Sequence, residues 1–202
     1  MSTTTTNPTK PEAFQMPAPS AEFIATHTPR DSASIVVPSN HNDFLARWIL
    51  SSDWRTNPGA ARFYLETALA MVDSAKLTSG GAEYEDPTAY WLRRLLLDAS
   101  VTVLNRGDSF TVRGVEVGLH GDIGPHGSRG SARNLRRIGV RTVIGHSHAP
   151  CIDEGCVQVG TSTELVLEYN RGSPSGWMNT HCVIYPNGKR ALINIINGRW
   201  RK

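Results

Sequence analysis

The chain has 202 residues, 39% of them hydrophobic, enough for one ordinary core. Its formal charge of +3 permits a phosphate-bearing partner without demanding one, and its three cysteines argue against a paired disulfide framework and suit a reducing compartment. No segment approaches the roughly 18 consecutive apolar residues of a membrane span, and the start is no signal peptide, so a cytoplasmic protein is expected.

The opening Met1-Ser2-Thr3-Thr4-Thr5-Thr6-Asn7-Pro8 is polar and of low complexity, and Pro11, Pro17, Pro19 and Pro29 follow. Residues 1–33 are therefore expected to form a disordered or extended tail, and residues 34–202 one domain. Ser34–Pro38 reads as a short buried strand opening into Ser39-Asn40-His41-Asn42. Phe44, Leu45, Trp48 and Ile49 have helical spacing over Asp43–Leu50. Asn57-Pro58 starts a second helix running to about Lys76, which Thr78-Ser79-Gly80-Gly81 breaks. Asp86-Pro87 starts a third, carrying Trp91, Leu92 and Leu96.

Beyond residue 100 the pattern turns to strands. Val101–Leu104, Phe110–Arg113 and Val115–Leu119 are short and β-branched, with glycine turns between them. A glycine-rich loop, Gly124 to Gly130, leads into a basic helix near Ser131–Ile138, and Arg141–Ile144 is a further strand. Cys151 and Cys156 flank the turn Asp153-Glu154-Gly155, which favours reduced thiols in a strand–turn–strand over a zinc knuckle. Further strands are expected at Val157–Val159, Glu164–Tyr169, His181–Tyr185 and Ala191–Ile196, the last two joined by the turn Pro186–Lys189.

Gly145-His146-Ser147-His148 stands out because two imidazoles one residue apart, just past a strand, are poorly explained by packing. Neutral imidazole is the commonest side-chain metal ligand. Two other strand ends carry metal-capable residues, Asn40-His41 and His120. Ligands in layered α/β folds gather outside the carboxyl ends of strands, so such loops can converge. The loop Gly124–Ser131 offers backbone amides to a phosphate, with Arg129, Arg133, Arg136 and Arg137 following; the alternative is a solvated basic face. Trp48, Trp177 and Trp200 are assigned to packing rather than base stacking, and His181 to a core or edge position.

These residues resemble the calcineurin-like metallophosphoesterases, whose ordered motifs are D-x-H, G-D, G-N-H-D/E, an isolated His and G-H-x-H. Ser39-Asn40-His41-Asn42 is similar to the third element, His120 to the fourth, and Gly145–His148 to the fifth. His120-Gly121-Asp122, Arg129-Gly130-Ser131, Gly160-Thr161-Ser162 and Tyr185–Arg190 resemble a phage and bacterial branch that includes an early-injected DNA-degradation protein of T5-like phages. Over residues 34–201 the resemblance implies an α/β fold, a β-sandwich flanked by helices. It implies a phosphoesterase, nuclease-like or acting on another phosphate ester, in the host cytoplasm if phage-encoded. Asn40, His120 and His146 would bind a second metal and His148 a first, the ions being Mn, Fe, Zn or Ni. His41 would protonate the leaving oxygen or stabilise the transition state, and Arg129 and Arg133 are candidates for holding substrate phosphate.

Two departures bear on that expectation. No D-x-H or G-D element precedes Asn40, so the first strands and the bridging carboxylate are expected to be missing, with a second chain as one possible source. Asn42 stands where the family has an acid that would orient His41 and raise its pKa; Asp122 is the one carboxylate candidate to substitute as ligand, against a backbone-capping role. The alternatives are an inactive paralogue that binds nucleic acid or protein, and the remnant of an interrupted gene.

Overall fold

The computed structural model describes residues 17–97, 100–167 and 170–200. The chain is a mixed α/β protein whose contacts divide after Arg106 into two compact units. Residues 1–16, about half of the expected tail, lie outside the description, as do residues 98–99, 168–169 and 201–202.

The first unit begins with helix α1 (Pro17–His27), where the composition predicts an extended tail. Pro17 and Pro19 fall in its first turn, the one part of a helix that tolerates proline because those amides have no partner anyway. Ala21 is buried, against a cluster formed by Ala89, Leu92, Leu96 and Val103, so tertiary contact outweighs the breaker-rich composition. Strand β1 (Ser34–Val36) leads into α2 (Asp43–Ser51). Two 3₁₀ turns precede α3 (Ala61–Ser74). The glycines after it turn a small hairpin, β2 (Lys76–Thr78) with β3 (Gly81–Glu83), which the sequence pattern does not reveal. Asp86 caps α4 (Pro87–Leu95) by accepting the Thr88 amide. Strand β4 (Val101–Val103) then pairs parallel with β1, Ser34 opposite Val101 and Val36 opposite Val103.

A second cluster lies between α2 and α3. Leu45, Ala46, Ile49 and Met71 are buried, with Trp48, Phe63, Tyr64 and Trp91 packed on them. The aromatic tips find partners, as half-buried polar tips must. Tyr64 Oη donates to the Ile49 and Ser52 carbonyls at 2.7 and 2.9 Å, and Trp91 Nε1 donates to Thr67 Oγ1 at 2.9 Å. Arg93 ties α4 to β4 by donating to the Val103 carbonyl at 2.9 Å.

The second unit is built on a five-stranded sheet. Its strands are β5 (Thr111–Val112), β6 (Val115–Glu116), β7 (Arg141–Ile144), β8 (Cys151–Asp153) and β9 (Cys156–Gln158), in the order β5-β6-β7-β9-β8. The inner strands β6, β7 and β9 are parallel, and each edge is an antiparallel hairpin. Between β6 and β7 the chain crosses over through a single helical turn, α5 (Ala132–Leu135), continued in 3₁₀ form to Ile138. Ala132 and Leu135 pack on Ile144 and Cys156. A second sheet, β10 (Thr180–Ile184), β11 (Arg190–Ile196) and β12 (Arg199–Trp200), is antiparallel. Arg190 fastens it to the first, donating to the carbonyls of Thr142 at 2.9 Å and Gly155 at 2.6 Å. The described part of the predicted strand Glu164–Tyr169 is irregular: Asn170 Oδ1 accepts the Leu167 amide and its Nδ2 donates to the Leu165 carbonyl, side-chain bonds that replace a ladder. The remaining predicted strands and helices beyond residue 34 are present, with ends that differ by up to three or four residues from those expected.

Candidate functional site

Parallel pairing of β6 with β7 places the carboxyl ends of both strands on one edge of the sheet. His120 follows the first and the Gly145–His148 turn follows the second. The Gly145 amide donates to the His120 carbonyl at 2.9 Å, so the two loops are joined at their roots. Immediately after His120 the chain turns at Gly121 with φ +105°, where a Cβ would meet Ile144 at 3.0 Å. No other residue type suits that conformation and that contact together.

The geometry that results is a pair of imidazoles. The rings of His120 and His146 lie edge to face, their centroids 5.3 Å apart. His146 has φ +70° and His148 φ +60°, a region that non-glycine residues occupy at a cost of about 1–3 kcal/mol each. The Ser147 amide donates back to the Gly145 carbonyl at 2.9 Å, closing a three-residue γ-turn around His146 in its rarer, positive-φ form. Two left-handed residues in three positions need support from their surroundings.

That support comes from β9 and from a distant loop. Gln158, nearly fully buried, accepts from Ser147 Oγ at 3.1 Å and donates from Nε2 to the Ala149 carbonyl at 2.6 Å. The Met178 amide donates to the His148 carbonyl at 3.2 Å, and the ring of Trp177 stands perpendicular to that of His148 with centroids 4.3 Å apart. Sequence reasoning missed Gln158, a buried polar residue hidden in an apolar strand, and placed Trp177 in packing. Alternation along Cys156–Gln158 gives no hint that the amide faces the turn.

Asn40 and His41 belong to the first unit, in the turn after β1. His41 is exposed, its ring edge-on to Phe44 at 5.3 Å between centroids. Asn42 does not orient it. Asn42 Oδ1 accepts from the amide and hydroxyl of Ser39, both at 3.2 Å, while Nδ2 donates to Asp86 Oδ2 at 2.7 Å. The amide is both acceptor and donor here, a combination no carboxylate can supply. This is a physical reason for asparagine where the resembled family has an acid.

Among the described residues no three His, Cys, Asp or Glu side chains gather closely enough to hold a metal ion. His120 and His146 offer two nitrogen donors, which fit part of an imidazole-ligated cation site. The main-chain carbonyl of Asp122 accepts the Gly130 amide at 2.8 Å, which ties the turn to the end of the glycine-rich loop. Burial pushes the Cys156 thiol upward, only partly offset by Thr142 and Arg190, which favours the neutral thiol over a zinc-binding thiolate.

The glycine-rich loop is occupied with itself. The amides of Gly124, Ser128 and Gly130 donate to the carbonyls of Ser128, Pro125 and Asp122, so those donors are turned inward rather than toward a phosphate, contrary to the sequence expectation. Arg129, Arg133 and Arg137 are exposed, whereas Arg136 pairs with Asp153 and Glu154, each at 2.8 Å. His181, on β10, is exposed.

No known family profile and no solved structure matches the chain. It is similar to Protein A1 of Escherichia phage T5, with 31% identity over 175 residues that make up 84% of this chain and 30% of that protein. The chain thus spans less than a third of the length of the curated relative it matches.

Proposed function

We propose that this chain is a metal-dependent phosphoesterase domain of calcineurin-like type, hydrolysing a phosphodiester or phosphomonoester, DNA included. The observation that carries the reading is the His120–His146 pair at adjacent parallel strand ends, beside a turn held at φ +70° and +60°. Strain of this kind concentrates at functional sites because the surrounding structure must be built to hold it. Packing alone gives no reason to keep two imidazoles and two left-handed histidines together.

In this reading His120 and His146 would hold the second of two divalent ions, with Asn40 as the further ligand that the motif resemblance assigns, and His148 would be a ligand of the first. Mn, Fe, Zn and Ni all suit nitrogen and oxygen donors. When bound, such ions lower the pKa of water and neutralise charge on the entering and leaving oxygens. His41, exposed at the end of β1, donates a proton to the leaving oxygen. Arg129 and Arg133 attract the substrate's phosphates. Two imidazoles alone compensate little of a cation's charge, so the missing negative charge would come from carboxylates of a second chain, with the substrate's own phosphate adding to it on binding.

The test is metal analysis of the purified chain, followed by hydrolysis of bis(p-nitrophenyl) phosphate and of DNA in Mn²⁺. Bound metal and a rate that falls at least about a hundredfold in His146→Ala are expected, the scale of losing an ion that stabilises charge in the transition state. Absence of metal together with identical rates for wild type and His146→Ala would refute it. A second reading, a binding module for nucleic acid or protein without catalysis, is favoured by one observation: the described residues bring no three such donors together. It predicts DNA binding that survives His146→Ala and weakens with salt and with Arg133→Ala.

A further inference from the structure

Helix α3 is apolar on two sides. On its inner side Thr67 and Met71 are buried, and Phe63, Tyr64 and Ala68 pack on the cluster it shares with α2. On the opposite side Leu65, Leu69 and Val72 are 49, 59 and 69% exposed. Spaced four and three residues apart, they form one ridge down the helix. A surface helix of a globular protein turns charged and polar residues that way. Three large aliphatic side chains in a continuous line are a patch rather than scattered exposure, and such patches mark interaction surfaces.

The charges beside the ridge have a two-fold pattern. Arg62 stands toward its amino-terminal end and Asp73 toward its carboxyl-terminal end, both exposed. About three helical turns separate them, so they lie on one flank of the ridge, about 16 Å apart along the axis. Their midpoint falls between Thr67 and Ala68, one residue from the middle of the Leu65–Val72 ridge. A two-fold axis across the helix at that level maps the ridge onto itself and sets each Arg62 opposite the Asp73 of the other copy. Arg62 holds Glu66 of its own helix through Nε at 2.8 Å, and its other guanidinium nitrogens are donors suited to a second carboxylate. Leu69 and Asp73 also border an open groove of about 420 Å³ between α3 and α4, which gives a second helix room to seat its side chains.

From this we infer that the outer face of α3 is a self-association surface. Two copies of this chain pair through antiparallel α3 helices, Leu65, Leu69 and Val72 against their counterparts, with an Arg62–Asp73 pair at each end. The charge pattern selects this occupant: a helix of one charge sign would meet both signs along the flank, whereas a second copy meets its complement at both ends. One 14-residue helix per copy falls short of the roughly 1,200–2,000 Å² buried in stable complexes. The dimer is therefore weak, with a dissociation constant on the order of 10 μM. The inference is independent of the phosphoesterase reading, because α3 carries none of the residues assigned to metal or phosphate.

Sedimentation equilibrium of the full chain across the micromolar range tests it. Wild type is expected to show a monomer–dimer equilibrium, and Leu69→Glu to weaken it at least about tenfold by setting a charge in the seam. Arg62→Glu and Asp73→Arg should each weaken association about three- to tenfold, since each brings like charges together at both ends. An equimolar mixture of these two variants should recover the wild-type affinity as a heterodimer, because both end pairs are then of opposite sign. All three positions are exposed, so the core is spared, and recovery in the mixture shows directly that both variants are folded. A wild type that stays monomeric over this range overturns the inference, as does a dimer that Leu69→Glu leaves intact. Charge variants that associate as well as wild type, or that fail to recover on mixing, overturn it equally, because the antiparallel pairing requires both results.

Discussion

Replacing Asn42 by aspartate would restore the acid of the resembled motif, and the structure says it should weaken the protein instead. Asn42 Nδ2 donates to Asp86 Oδ2 at 2.7 Å, and Asp86 Oδ1 in turn caps α4 through the Thr88 amide. The substitution removes a hydrogen bond to a charged group, about 1.5–3 kcal/mol, and sets two carboxylates in contact. At a half-buried site their repulsion adds about 1–4 kcal/mol, so the pair escapes most of it by sharing a proton. A net loss of about 2–4 kcal/mol at pH 7 is expected from these two effects together. In the variant one carboxyl has its folded pKa raised above the unfolded value. The stability tied to that proton is then present below about pH 4, the unfolded value, and is lost as pH rises through the folded one. Urea unfolding followed by circular dichroism at pH 7 and pH 4.5 reads this directly, with wild type in parallel. The deficit should shrink at the lower pH, and Asn42→Asp combined with Asp86→Asn should recover part of the loss by reversing donor and acceptor. A single variant as stable as wild type at pH 7, with no pH dependence of the difference, would refute the bracing role assigned to Asn42.

Three further outcomes follow from the second unit. Arg190→Ala removes two charge-assisted donations to the Thr142 and Gly155 carbonyls and should cost about 2–4 kcal/mol in urea unfolding, since one of those carbonyls lies in the central strand. Burial raises the Glu116 carboxyl, but the Ser109 hydroxyl and the amides of Phe110, Gly118 and Val117 outweigh it and leave the pKa lowered. A lowered carboxyl contributes stability above its unfolded pKa that disappears as pH falls through the folded one; Glu116→Gln should therefore flatten the acid limb of the stability curve, and an unchanged limb would count against the bonds. Thr142 Oγ1 is buried and, among the described residues, has the Cys156 thiol as its polar neighbour, a weak partner, so Thr142→Val should change the unfolding free energy by less than about 1 kcal/mol in urea, and a larger loss would refute that weakness.

Local chemistry made much of the chain legible. Asp86-Pro87 announced a capped helix, Pro186–Lys189 a hairpin turn, and the spacing of Phe44, Leu45, Trp48 and Ile49 the helix that carries the second cluster. These signals are readable because caps, turns and amphipathic faces depend on neighbours within a few residues. The candidate ligands were legible too, since imidazoles beside glycine at strand ends have few packing explanations. Helix α1 was not: Pro17 and Pro19 argue against it locally, and Ala21 and Ile24 packed on the cluster that includes α4 hold it in place. Glu164–Leu167 failed as a strand for the opposite reason, a β-favouring composition overruled by the side chain of Asn170.

The functional picture divides along the same line. Residue types and order by themselves determined which side chains could ligate a metal: Asn40, His41, His120, His146 and His148. Tertiary structure decided which of them meet and what each neighbour does. Parallel pairing of β6 and β7 set the His120 and His146 rings 5.3 Å apart, and Gln158 and Trp177 came to brace the turn from positions 9 and more residues away in the chain. The same level assigned Asn42 to Asp86 rather than to His41. Such partners are invisible in a sequence because strand register and the loop crossing that create them are set by the packing of the whole unit, not by any local preference.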